Sequence, residues 1–149
     1  MDICHLIEQD HRAVLALSRR LHEADDPAAA KDIYRWLRDR LSAHERAEET
    51  VAYGALDQLG QPSLVMRNCE GEVEHNLCDH LVAKMTRGRP EHPGWKARAK
   101  VLHDILDRHM QAEQLHLLPA LQLNFDPEQR EALGQRYAAR TALLMKKRS

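Results

Sequence analysis

Alternating runs of β-branched residues are missing from this chain, and aromatic residues make up only 4% of it, so no strand pattern competes with helices. No apolar run approaches the roughly 20 residues that a membrane-crossing helix needs, and no membrane partner is expected. The start of the chain shows no secretory leader pattern, which favours a soluble, cytoplasmic protein. Only three cysteines occur, Cys4, Cys69 and Cys78, an odd number without CxxC spacing. Neither a disulfide framework nor a zinc ribbon is expected, and reduced thiols fit the cytosol. Cys69 and Cys78 should lie on different faces of a helix. A basic excess is also lacking. The formal net charge is −1 over 149 residues, which argues against a nucleic-acid partner. The basic end Lys146-Lys147-Arg148 reads as a solvated helix terminus. Glycine and proline, six of each, fall mostly where helices should end.

What remains is helical periodicity. A first helix is predicted from about Asp2 to Ala24, with Ile3, Leu6, Ile7, Val14, Leu17 and Leu21 as its apolar stripe. Asp25-Asp26-Pro27 ends it, Asp26 capping the next helix and Pro27 taking its first position. The second runs to about Leu59, with Leu56 and Leu59 closing its apolar face and Gly54 as a mildly unfavourable residue inside it. After the turn Gly60-Gln61-Pro62-Ser63, a third runs from about Ser63 to Thr86, its apolar face marked by Leu64, Val65, Val73, Leu77, Leu81 and Met85. The segment from Gly88 to Gly94 is a clear break. A fourth helix follows from about Trp95 to Leu123, on an apolar repeat that begins at Val101 and Leu102, with Pro119 expected to kink or loosen its last turn. Asp126-Pro127 begins a fifth, ending near Lys146. Short loops between long amphipathic helices predict an all-α, up-down-up-down four-helix bundle, core about 2–124, with an additional C-terminal helix about 126–146. The whole of 1–149 reads as a single domain.

Ten histidines spread along the chain are its unusual feature. His44 and Glu48 lie four apart, as do His109 and Glu113, which on a helix is one face and one turn. The third helix carries His75, with Asp79 four residues on, and the first carries His11 after Asp10. Counted from the predicted turns at ~1.5 Å per residue, these positions reach similar heights on antiparallel helices, the fourth helix matching less closely. One layer can therefore collect His11, His44, Glu48, His75, His109 and Glu113. Six polar groups converging in a small core would be costly without a partner to satisfy them. Mixed imidazole and carboxylate ligation suits iron or manganese better than magnesium or calcium, and the lack of thiolate argues against a structural zinc site.

These residues resemble the hemerythrin-like, or HHE cation-binding, family. The pattern spans nearly the whole chain: Asp10-His11, His44-x-x-x-Glu48, Glu74-His75, and His109-x-x-x-Glu113 followed by Leu118-Pro119. The resemblance implies a four-helix bundle holding two iron ions with an oxo or hydroxo bridge, manganese or zinc being possible substitutes. It implies His11, His44, His75 and His109 as terminal ligands, and Glu48 and Glu113 as bridging carboxylates. Oxygen-carrying members place a second histidine where this chain has Asp79, and an aspartate where it has Gln114. The chain therefore resembles the broader HHE branch, with an open coordination position or with Asp79 or Glu45 filling it.

Binding or sensing of a small ligand (oxygen, nitric oxide or peroxide) is the expected function. A di-iron enzyme acting on peroxide or in iron-sulfur cluster repair is the alternative, and an iron-handling interaction module a third. A homodimer through the fifth helix is possible. Tyr53 is a candidate to line the cavity. Glu8, Asp10 and Asp104 are candidates to orient ligand imidazoles. His116 is a weaker candidate for a similar role. Trp36 and Trp95 read as core or rim packing residues. His5, His22, His80, His92 and His103 are expected to be structural or solvated.

Overall fold

The computed structural model describes residues 1–148. Helix α1 spans Ile3–Glu23 and α2 spans Pro27–Ala47. A π-helical segment, Glu48–Tyr53, and the short α3, Gly54–Asp57, continue α2 without a break. Helix α4 spans Pro62–Arg87, α5 spans Pro93–Asn124 and α6 spans Pro127–Lys146. No strand occurs among the described residues. The expected bundle with an added helix is what forms. Residue 149 lies outside the described residues.

Local chemistry explains the boundaries. Asp2, Asp26, His92 and Asp126 each accept a backbone N–H at a helix start. Pro27, Pro62, Pro93 and Pro127 each occupy the first turn, where a missing N–H costs nothing. Gly60 takes φ 67° in the turn before α4, a left-handed conformation that glycine adopts freely.

Helix α1 packs against α2 and α5, and α4 packs against α5 and the rod formed by α2, the π segment and α3. Two apolar clusters fill the bundle. One gathers Ile3, Ile7, Val51, Leu56, Leu118 and Leu121 at one end. The other gathers Val14, Leu21, Leu37, Leu41, Leu102 and Leu106 at the opposite end. Buried polar residues fall between them: His11 between Ile7 and Val14, and His109 and Glu113 between Leu106 and Leu117. A polar layer thus crosses the middle of an otherwise apolar core.

Several features differ from the sequence reading. The second helix is not uniform, because Glu48–Tyr53 adopts π geometry. On α4, Val73 and Leu77 are 58% and 49% exposed, and the inward residues are Asn68, Gly71, His75, Cys78 and Met85. Once His75 points inward, residues two before and two after it point about 200° away. Val101 is similarly exposed on α5, and of the two tryptophans expected in the core or at its rim Trp95 is buried and Trp36 is 56% exposed. Helix α5 runs through Pro119 to Asn124, close to its expected end. Leu115, whose carbonyl would have bonded position 119, lies on the exposed side, where water can replace the missing donor. Cys69 is exposed and Cys78 buried, as the spacing predicted.

Helix α6 lies across α1 and α2. A capping box at Asp126 and Gln129 starts it, and Arg130 Nε donates to Asp2 Oδ2 at 2.8 Å. The basic terminus is not simply solvated, since Arg148 Nη2 donates to Ser42 Oγ at 2.8 Å. The close approach of α6 to α1 depends on Gly134, where a Cβ would collide with the Met1 carbonyl oxygen. Gly134→Ala is therefore expected to lift this part of α6. Although alanine favours helix by ~1 kcal/mol over glycine, the variant should melt lower than the parent. Thermal melting by circular dichroism checks the sign, and a higher melting temperature would contradict the contact.

Candidate metal centre

Each helix of the bundle sends polar groups into the middle layer. His11 comes from α1, His44 from α2, Glu48 from the π segment, His75 from α4, and His109 and Glu113 from α5. All six are at most 6% exposed. They fall into two overlapping groups, His11, His44, Glu48, Glu113 and Glu48, His75, His109, Glu113, in each of which the candidate donor atoms lie within 4.8 Å of one another. Glu48 and Glu113 belong to both. All six residues that the sequence reading gathered into one layer are thus brought together there.

Glu48 faces both groups, with Oε2 3.3 Å from His44 Nε2 and Oε1 3.2 Å from His75 Nε2. Glu113 Oε1 lies 3.2 Å from His11 Nε2 and 3.1 Å from His109 Nε2. The π segment contributes to this arrangement. In an α-helix, residues five apart point about 140° from each other, whereas the wider π turn brings them much closer to one face. Tyr53, five after Glu48, is buried with it and donates its hydroxyl to Glu113 Oε2 at 2.7 Å. Its ring stacks on His75 at 5.8 Å between centroids, 7° from parallel. Gly71 on α4 leaves room for the phenol, since a Cβ there would collide with Tyr53 Oη.

The outer ring nitrogens decide what the inner ones can do. His75 Nδ1 is 2.8 Å from Glu49 Oε1, and His109 Nδ1 is 2.9 Å from Glu74 Oε1. A carboxylate accepts, so both Nδ1 atoms carry the hydrogen. A neutral ring then presents a bare lone pair at Nε2. Yet His75 Nε2 and His109 Nε2 face each other at 3.1 Å. Two lone pairs at that distance repel unless a cation, a proton or a metal ion, neutralises them. His44 Nε2, both ring nitrogens of His11, both oxygens of Glu48 and Glu113 Oε1 are buried without a properly aligned hydrogen bond, despite the short distances between them. Buried polar atoms are rarely left so. Imidazoles and carboxylates facing one another with orphaned atoms are a donor set that could hold mid-row transition cations.

Protons fill that role when no cation is present. Burial alone would lower these histidines, but the carboxylates outweigh it. Glu48 and Glu49 hold His75 up to about 11, Glu113 and Glu48 hold His11 up to about 9, and Glu113 holds His109 up to about 9. Burial opposes the charge on Glu48 too, yet His44, His11 and His75 keep it well below the usual carboxylate range. Bound protons must leave when a cation enters, so metal affinity is expected to rise as pH increases from 6 to 8. Calorimetry at neutral pH in buffers of differing ionisation enthalpy should show proton release, and its absence would contradict the cluster's protonation. The metal-free fold has the opposite sign. Its histidine contribution is full below the ordinary 6.5 and fades as pH climbs to about 9–11.

Other sequence candidates sort clearly. Asp10 Oδ2 lies 3.3 Å from His44 Nδ1, so Asp10 does orient a ring. Asp104 instead takes Lys100 at 2.6 Å on the surface. Asp79 pairs with Arg46 at 3.2 Å and lies outside both donor groups. Glu45 is buried beside His75, 4.0 Å from its outer nitrogen Nδ1, and also outside them. Burial chiefly pushes its carboxyl up to about 8. His103 bonds Ser18 Oγ through Nδ1 at 2.6 Å, and His5, His80 and His92 are exposed. Glu49, Glu74 and Tyr137 are the imidazole partners that sequence reasoning missed, though Glu74 stood beside His75 in the motif.

A cavity of about 60 Å³ runs between α4 and α5. Buried Tyr53, His109 and Glu113 line it, with Leu64 and Leu117 along its walls and the exposed Arg67, Glu70 and His116 toward solvent. About 10–15 Å³ holds one water, so this space admits a molecule of a few atoms. His116 therefore borders the cavity rather than supporting a ring. No described helix is long and apolar enough to cross a membrane.

Comparison with known proteins agrees with this architecture. A crystal structure of a hemerythrin HHE cation-binding domain-containing protein from Mycobacterium kansasii superposes with a TM-score of 0.85 over 99% of this chain and 89% of that one, at 19% identity. A DNA nickase from Nostoc sp. (strain PCC 7120 / SAG 25.82 / UTEX 2576) is 27% identical over 144 residues, 93% of this chain. The chain spans only 39% of that relative's length. Residues 2–133, nearly the whole bundle, match the hemerythrin HHE cation-binding domain, and the chain belongs to that family.

Proposed function

We propose that the chain is a non-haem di-iron protein that binds or senses a small ligand such as oxygen, nitric oxide or peroxide. His11 and His44 would hold one iron and His75 and His109 the other, with Glu48 and Glu113 shared between them. The observation that carries this reading is the pair of facing Nε2 atoms, 3.1 Å apart, each on a ring whose outer hydrogen is already given to a carboxylate. Imidazole with carboxylate in this proportion suits iron. An iron pair so held would supply redox chemistry and an exchangeable coordination position. The chain's own residues supply the rest. The small cavity restricts access to molecules of a few atoms, its apolar walls limit water, and Tyr53 keeps a hydroxyl proton on Glu113 Oε2.

Elemental analysis and an optical spectrum of the freshly purified protein test this. Two irons per chain, and a near-ultraviolet charge-transfer band of the ferric protein that shifts with azide, are expected. Zinc in place of iron, or a spectrum indifferent to azide, would overturn the reading. Peroxide turnover by the iron-loaded protein would move the conclusion to the enzyme alternative.

A further inference from the structure

Three of the four histidines in the layer have their outer nitrogens engaged, and one is engaged differently. His75 and His109 reach carboxylates within the bundle itself, Glu49 and Glu74. His44 Nδ1 lies closest to the hydroxyl of Tyr137, on α6, at 2.7 Å, with the bundle carboxylate of Asp10 farther off at 3.3 Å. Tyr137 in turn donates to Asp10 Oδ2 at 2.5 Å, while Arg40 holds the other oxygen of Asp10 at 3.0 Å. Since the phenol's single hydrogen goes to Asp10, its lone pairs are what it offers His44. His44 must then carry its hydrogen on Nδ1, leaving Nε2 free to face inward. Tyr137 is only 2% exposed, although its helix lies outside the bundle. Such depth requires the tight seating of α6 by Gly134, Arg130 and Asp2.

We propose that Tyr137 is a positioning residue for one metal subsite, that of His11, His44, Glu48 and Glu113, and that α6 is thereby part of the metal centre. Partners that orient a ligand imidazole fix its tautomer and raise its basicity, and their loss costs roughly 10- to 100-fold in metal affinity. The subsite of His75 and His109 has its own partners and does not depend on α6. This inference rests on the two-metal reading above.

The test is chelator challenge of full-length protein loaded with ferrous iron, comparing the parent with Tyr137→Phe, Asp10→Asn and Glu74→Gln. The parent should release both ions slowly. Tyr137→Phe should release one ion about 10- to 100-fold faster and keep the second at the parental rate. Glu74→Gln should likewise weaken one ion, and the double variant Tyr137→Phe with Glu74→Gln should weaken both. Asp10→Asn, made on α1, removes both the acceptor of the Tyr137 proton and a direct 3.3 Å contact to His44, so it should weaken the same ion at least as much as Tyr137→Phe while sparing the second. Release of both ions at parental rates, equal weakening of both, or a double variant no worse than either single one would each overturn the proposal. A parent that binds fewer than two ions overturns the di-metal reading instead, which separates the two failures.

Discussion

Glu48→Ala is expected to bring the metal content from two ions per chain to nearly none. Glu48, from the π segment, is one of the two residues that both donor groups share, with one oxygen 3.3 Å from His44 Nε2 and the other 3.2 Å from His75 Nε2. On the two-metal reading proposed above, truncation would remove a ligand from each subsite, and it removes half of the buried negative charge that Glu48 and Glu113 provide together. It leaves four imidazoles converging with one carboxylate between them, an arrangement that repels a divalent pair. Glu113→Ala should act alike, and His44→Ala should lower the content sharply. His92→Ala, which changes an exposed N-cap, should leave it unchanged. Elemental analysis of the purified variants is the measurement. Equal metal in Glu48→Ala and His92→Ala would refute the shared carboxylate.

Removing the metal from the parent should lower its melting temperature by about 15 °C or more. The layer between the two apolar clusters holds orphaned nitrogens on His11 and His44, orphaned oxygens on Glu48 and Glu113, and the facing Nε2 atoms of His75 and His109. An ion present at a thousand times its dissociation constant stabilises the folded state by about 4 kcal/mol, and each kcal/mol is worth about 2–4 °C in a chain of this size. Two ions act twice. Protons compensate only part of this, because they cannot satisfy four rings and two carboxylates at once. Melting followed by circular dichroism, before and after chelation and again after reloading, gives the comparison. Identical transitions would mean that the layer satisfies itself without a cation.

Residues near one another in the chain were readable in advance because their chemistry is local. Prolines at helix starts and aspartate caps mark element boundaries whatever the rest of the fold does. The pairs His44 with Glu48 and His109 with Glu113 share a face by helical pitch, so their convergence could be inferred without knowing a neighbour. The matching depth of His11 and His75 followed from counting back to the turns. The inward face of α4 was misjudged for a physical reason. Val73 and Leu77 are the more hydrophobic choice, but His75 is drawn inward by the cluster, and the valine and leucine must then face out.

The order of the helices, their antiparallel packing and the meeting of six histidines and glutamates in one layer were thus written into spacing along the chain, because backbone pitch and turn length act over a few residues. Tertiary packing alone decided the rest. Glu49, Glu74 and Tyr137 hold imidazoles 26, 35 and 93 positions away in sequence. The π segment turns Tyr53 toward Glu113, and α6 settles where Gly134 lets it touch α1. These contacts depend on the lateral fit of whole helices, a property of shapes meeting in space that no short window of residues contains.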